Sequence, residues 1–185
     1  MRLFVAVDLD EKLKGNIEPL LSRLSRVRGL KVVEKENLHT TLMFLGEVNE
    51  NMLENLKQAL SRVKFKPFQI KLKGTGKFPE KGNPRVLWVG IKEGSGELSK
   101  LADSVYSELK KFGFQRDKDF RAHITVARVK KRDEEIEAII KDFKNQDFGE
   151  MLVKEFKLKQ SILTQSGPLY RDVFIFECEY DRGNQ

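Results

Sequence analysis

The sequence predicts an α+β fold of two similar, pseudo-symmetric lobes of antiparallel sheet, with helices packed outside and a cleft between the lobes. Three observations carry that expectation. Segments alternating apolar and polar residues, the strand period, are interspersed with segments of helical spacing. The order strand, helix, His-bearing strand, helix occurs in each half of the chain. The only two histidines, His39 and His123, both stand in the frame His-x-Thr-aliphatic, nearly half a chain length apart.

Element by element, MRLFVAVDL alternates and reads as a strand. EKLKGNIEPLLSRLSRV follows with apolar residues at 13, 17, 20, 21 and 24, the spacing of one helical face, although Pro19 makes that helix imperfect. A short strand at KVVE leads into the strand NLHTTLMFLGEV. NENMLENLKQALSRV then reads as a helix beginning at the capping residue Asn49. PFQIKLKGTGKF and RVLWVGIKE are strands around a Pro/Gly-rich connection. ELSKLADSVYSELKKFG is a helix closed by Gly113, FRAHITVARV is the second His-bearing strand, and DEEIEAIIKDF is helical. Two long alternating segments, EMLVKEFKLKQSILTQ and YRDVFIFECEY, end the chain as an antiparallel pair across SGPL. With no linker or low-complexity tract between the halves, residues 1–185 read as a single bilobal domain.

Composition narrows the function classes. An apolar fraction of 39% suits a globular fold rather than a disordered one. No run approaches the length of a membrane span, and MRLFVAVDLD is too short and too acidic at its end for a signal peptide, so the expected location is cytoplasmic. The single cysteine, Cys178, cannot form an internal disulfide and reads as a structural thiol. Lys and Arg number 35 against 28 Asp and Glu, a net charge of +7 that favours a polyanion such as RNA. A charged fraction of 34% rich in Lys and Glu also matches thermophile surfaces, where many lysines are simply solvated.

Alternation along a strand places His39 with Thr41, and His123 with Thr125, on one face. Opposed across a pseudo-two-fold axis, the two pairs would form a pocket of two imidazoles and two hydroxyls, an inventory suited to a phosphodiester. In-line displacement at phosphorus needs a base on the attacking oxygen and an acid on the leaving oxygen, with donors holding the remaining oxygens. One neutral and one protonated imidazole supply both without a metal; with no third histidine and no H-x-x-x-H spacing, neither a metal nor another cofactor is expected. Arg121, two residues before His123, shares its face and is placed to clamp phosphate. Arg128 falls on the opposite face by parity, so a phosphate role requires a bulge or a twist at the strand end. Phe44 and Trp88 are candidates to stack on a base, or else core aromatics. Gly74, Gly76 and Gly82 in GTGKFPEKGNP lack a following GK[ST] and read as a turn or a rim of the cleft.

The pair HTTL and HITV, with FLG after the first, GTGKFP and PRVLW between them, and FRAHITVAR around the second, resembles the two-histidine (2H) phosphoesterase superfamily. Within it the sequence is most similar to the archaeal and bacterial RNA 2′,3′-cyclic phosphodiesterases, long named 2′-5′ RNA ligases, over nearly the whole chain. The resemblance implies hydrolysis of an RNA terminal 2′,3′-cyclic phosphate to a 2′-phosphate end, tRNA fragments being one such RNA, with 2′-5′ ligation by the same machinery. It implies His39 as proton donor to the departing 3′-oxygen, His123 as the base that activates water, and Thr41 and Thr125 as holders of the phosphoryl oxygens. A monomer is the expectation. Two rivals stay open at this point: a non-catalytic module that grips RNA ends, and a phosphodiesterase for small cyclic nucleotides or 2′-5′ oligoadenylates.

Overall fold

The computed structural model describes residues 1–180. Nine strands and four α-helices follow one another as β1 (Arg2–Asp8), α1 (Glu11–Leu24), β2 (Leu30–Val32), β3 (His39–Glu47), α2 (Leu53–Ser61), β4 (Phe68–Phe78), β5 (Val86–Ile91), α3 (Ser95–Leu109), β6 (His123–Val129), α4 (Glu135–Asp142), β7 (Asp147–Val153), β8 (Glu155–Thr164) and β9 (Gly167–Glu177). They build two antiparallel sheets, one ordered β3-β1-β8-β9 and the other β2-β6-β5-β4-β7. The two His-bearing strands, one from each sheet, run close enough that Cα atoms of β3 and β6 lie within 8 Å. No helix among the described residues is long and apolar enough to cross a membrane.

The helices follow their apolar spacing. In α1, Leu13, Ile17, Leu20, Leu21 and Leu24 are buried, and Asp10 caps the first turn by accepting from the Leu13 N–H at 2.8 Å. Pro19 does not break this helix: it lies on the exposed face, where water can meet the carbonyl that loses its donor. Asn49 caps as expected, accepting from the Asn51 N–H, but it opens a 3-10 turn (Glu50–Met52) from which α2 continues. Gly113, at φ 90°, closes the turn after α3.

The lobes are not the two halves of the chain. β2 leaves the first half to pair with β6, and the β8–β9 hairpin returns to complete the sheet of β1 and β3. The helices exchange as well: α1 packs on β7 with α4, whereas α3 packs on β3 with α2. Likewise, the alternating run from 150 to 165 is not one strand. It breaks at Lys154, β7 ending in one sheet and β8 beginning in the other. Interleaving of this kind spreads the buried residues of both sheets into one core.

Gly74 and Gly76 lie inside β4 rather than in the connection, and only Gly82 is in the turn. Gly74 has φ 74° at a register shift between β4 and β5. Gly76 is where the Trp88 ring lies on the backbone, and a Cβ there would overlap the indole. Gly76→Ala should therefore cost about 1–3 kcal/mol. Gly15→Ala, in mid-helix with nothing within 4 Å of the added methyl, should stabilise by about 0.5–1 kcal/mol. Urea denaturation midpoints check both, and a shift of the same sign in the two variants would contradict the packing described.

Candidate active site

His39 and His123 open β3 and β6, and each ring is held in the same way. His39 Nδ1–H donates to the Asn37 carbonyl at 2.6 Å, and His123 Nδ1–H donates to the Arg121 carbonyl at 2.6 Å. A carbonyl can only accept, so the proton sits on Nδ1 and Nε2 is left as the working nitrogen of each imidazole. His39 Nε2 lies 3.0 Å from the Thr41 hydroxyl, which donates to it when the ring is neutral. Each imidazole also meets an aromatic ring edge-on at 83°: Tyr170 for His39, with centroids 5.4 Å apart, and Phe78 for His123, at 5.2 Å. These rings hold the imidazoles upright over the cleft, whose lining includes His39, Thr41, Phe44, His123, Thr125, Arg121 and Arg128.

A bulge arranges that lining. Consecutive residues Val5 and Ala6 pair with Met43 and Thr41, so Leu42 is an extra residue in β3, as Leu45 is again beyond Phe44; Leu87 and Trp88 pair with Ala127 and Thr125, so Val126 is the extra residue in β6. Both residues of each step, Leu42 with Met43 and Val126 with Ala127, are buried. The alternation is thereby reset, and Arg128 comes to the same face as His123 and Thr125 despite its parity. Phe44, its counterpart after the HTTLM run, comes to the cleft face of β3 and is 67% exposed. Arg121 sits at the cleft with its guanidinium over the Phe78 ring, 5.5 Å from the centroid.

Trp88 is the candidate that the structure sets aside. It shares a face with Thr125, but its indole is packed on Gly76 and against Phe78, 5.3 Å between centroids, and does not line the cleft. The aromatics that do line it on this side are Phe78 and Phe120. Among the described residues no three His, Cys, Asp or Glu side chains converge as a metal-ligand set.

The charged groups acting on the two rings differ: Asp8 and Lys159, of opposite sign, act on His39, and Arg128 acts on His123. Burial pushes both imidazoles below their ordinary value, since the neutral form loses less on leaving water. Against that, the Asn37 bond and then the Asp8 carboxylate favour protonated His39, with Lys159 and His123 opposing. For His123 the Arg121 carbonyl favours the proton, whereas Arg128 disfavours it. Asp8 stands directly opposite His39 in the β1–β3 register. It is held there by Lys159, only 7% exposed, which donates to both its carboxylate oxygens at 2.8 and 2.9 Å. Lys157 bridges Asp8 and Asp172 at 3.0 and 2.8 Å, completing a neutral tetrad across β1, β8 and β9. Within it, burial opposes the charge of Lys157 and of Asp172, but the bonds between them prevail, raising the lysine and lowering the carboxyl. Asp8, Tyr170 and Phe78 were not legible as site residues, because each reaches its histidine only through strand pairing or packing from a distant part of the chain.

The family model described as LigT like Phosphoesterase matches the chain twice, over residues 7–88 and 89–170, one His-x-Thr strand in each match. The RNA 2′,3′-cyclic phosphodiesterase of Archaeoglobus fulgidus is 54% identical over 177 residues, which cover 96% of this chain and 100% of that protein. The RNA 2′,3′-cyclic phosphodiesterase of Thermotoga maritima is 37% identical over 99% of this chain and 97% of its own. Among solved structures, a protein of Thermus thermophilus matches with a TM-score of 0.83 at 31% identity, covering 96% and 97% of the two chains. LigT of E. coli, crystallised with NADP+, matches at 0.81 and 25%, covering 97% and 98%.

With only two histidines, proton NMR titration reads both rings separately. Both should titrate below the ordinary imidazole value near 6.5. Asp8→Asn should lower the His39 value further and Arg128→Gln should raise that of His123; a shift of either in the opposite sense would contradict the charge placement. Because the folded values lie below the unfolded one, the unfolded chain binds more protons in that window. The contribution of the two rings to stability is therefore full above about pH 6.5 and is lost as pH falls through the folded values.

Proposed function

The chain belongs to the LigT-like phosphoesterase family, and from that premise we propose that it hydrolyses RNA ends carrying a 2′,3′-cyclic phosphate to 2′-phosphate ends by metal-free two-histidine catalysis. The observation that carries the reading is the matched anchoring of the two Nδ1–H groups, which leaves two Nε2 atoms as acid and base on facing strands. Relatives named RNA 2′,3′-cyclic phosphodiesterase support the substrate class.

In the proposed reaction, His123 Nε2 takes a proton from water as its oxygen attacks phosphorus. The P–O3′ bond breaks in line, and His39 Nε2–H gives its proton to the departing 3′-oxygen, leaving the phosphate on the 2′-oxygen. The opposite charges near the rings favour this direction of assignment: Asp8 supports the protonated form on His39, and Arg128 supports the neutral form on His123. Thr41, Thr125, Arg121 and Arg128 hold the phosphoryl oxygens, and Phe44 offers a ring for the terminal base. Thr41 exchanges its bond to His39 for one to phosphate when substrate enters. A 5′-hydroxyl of a second RNA in place of water gives a 2′-5′ linkage by the same bond changes.

Incubation with EDTA and an RNA oligomer ending in 2′,3′-cyclic phosphate, read by phosphorus NMR, should yield the 2′-phosphate alone. His39→Ala and His123→Ala should each lower turnover by about 10²–10⁴. No product from folded wild-type protein, or turnover that survives either substitution, would overturn the mechanism. The kcat/KM profile against pH should be a bell centred below about pH 6.5, since activity needs His123 neutral and His39 protonated and both values are lowered by burial.

A further inference from the structure

One strip of surface beside the site carries a charge that the reaction does not use. The segments RVRGLK (26–31) and RVKKR (128–132) are strongly basic, and neither 26–33 nor 120–132 contains an Asp or Glu. They are far apart in sequence, yet the fold joins them. β2 pairs with β6 so that Lys31 stands opposite Arg128, and the Lys130 and Lys131 N–H groups both donate to the Gly29 carbonyl, at 2.7 and 3.0 Å. Gly29 permits this, because a Cβ there would overlap the Lys131 carbonyl. The result is a two-stranded ribbon with Arg26, Arg28, Lys31, Lys130, Lys131 and Arg132 all exposed. None of the six is in an ion pair among the described residues, whereas Lys71 and Lys77 on the same sheet are. Lys31 and Lys130 line the cleft itself, so the ribbon is continuous with the site.

The pseudo-symmetric counterpart is different. The residues after Phe44 in β3 are Leu45, Gly46 and Glu47, and Glu47 meets the N-terminal amine at 3.4 Å. The cleft-facing groups of the two His-x-Thr strands are thus nearly two-fold symmetric, but only β6 continues past them into a run of cations; on the β3 side the single Arg2 of β1 stands opposite Glu47. We propose that the RNA chain 5′ to the terminal cyclic phosphate leaves the cleft along this β2–β6 ribbon, its phosphates meeting Lys31, Lys130, Lys131 and Arg132. This rests on the function proposed above and adds the direction in which the polymer lies, and with it a preference for oligomers over mononucleotides.

The test uses full-length protein with Lys130→Gln, Lys131→Gln and Arg132→Gln combined, and a control with Lys64→Gln and Lys66→Gln, which remove charge from exposed residues before β4. Binding is measured by fluorescence anisotropy with a single-stranded RNA of about ten nucleotides that already ends in 2′-phosphate, so that turnover is not required. The ribbon variant should bind about tenfold or more weakly at physiological salt, and the slope of log affinity against log salt should fall by about 2, the contribution of three phosphate contacts on a single strand. Its kcat/KM on adenosine 2′,3′-cyclic phosphate should stay within about twofold of wild type, while that on the oligomer falls with the affinity. Unchanged RNA affinity and salt slope, or an equal loss in the control, would overturn the proposal and leave the ribbon a solvated sheet edge. Wild-type protein inactive on both substrates would instead refute the proposed reaction, and the binding comparison would still decide the ribbon.

Discussion

The extra residue that follows each His-x-Thr pair, Leu42 in β3 and Val126 in β6, governs the site. Were Leu42 and Val126 held in a regular pleat instead of as bulges, alternation would carry Phe44 and Arg128 to the helix-covered faces, where an arginine would have to be buried without a carboxylate. With them, each strand presents three consecutive cleft-facing positions: imidazole, hydroxyl, and a third group. Both residues of the bulge are apolar and buried, so the distortion is fixed by the core rather than by the cleft. Substrate groups can therefore meet side chains whose positions were set on folding, which is the condition under which aligned donors are most effective.

The two repeats agree where chemistry requires it and differ where direction does. Each imidazole is tied to the carbonyl two residues earlier and touched edge-on by an aromatic ring. The third cleft position is a phenyl ring in β3 and a guanidinium in β6, and an aspartate faces His39 where Gly90 faces His123. A symmetric pocket would not distinguish the two ester oxygens of a cyclic phosphate. In the proposed reaction the unlike groups beside two otherwise similar rings would do so, Asp8 favouring the proton on His39 and Arg128 disfavouring it on His123.

That asymmetry depends on a buried lysine. Lys159 loses most of its hydration, a cost borne only because two carboxylates surround it. In return the Asp8 carboxylate is fixed with both oxygens engaged. The tetrad links β1, β8 and β9, so the hairpin that returns from the far end of the chain also sets the electrostatics of the first histidine.

By itself the sequence determined most of the elements, though not the break at Lys154, together with the α+β class and the His-x-Thr pairs. Periodicity, capping and an unusual placement of the only two imidazoles are local signals, and a short window contains them. Tertiary pairing alone decided the rest. Val126 as a bulge, rather than as one more alternating residue, is visible only against β5, and so parity placed Arg128 on the wrong face. Trp88 could not be told from a stacking platform until Gly76 on the neighbouring strand was seen beneath it. Asp8 lies at the end of the first strand and Lys159 near the end of the chain, and their meeting beside His39 follows from an interleaving of sheets that no local pattern encodes, because which strand pairs with which depends on burial summed over the whole core.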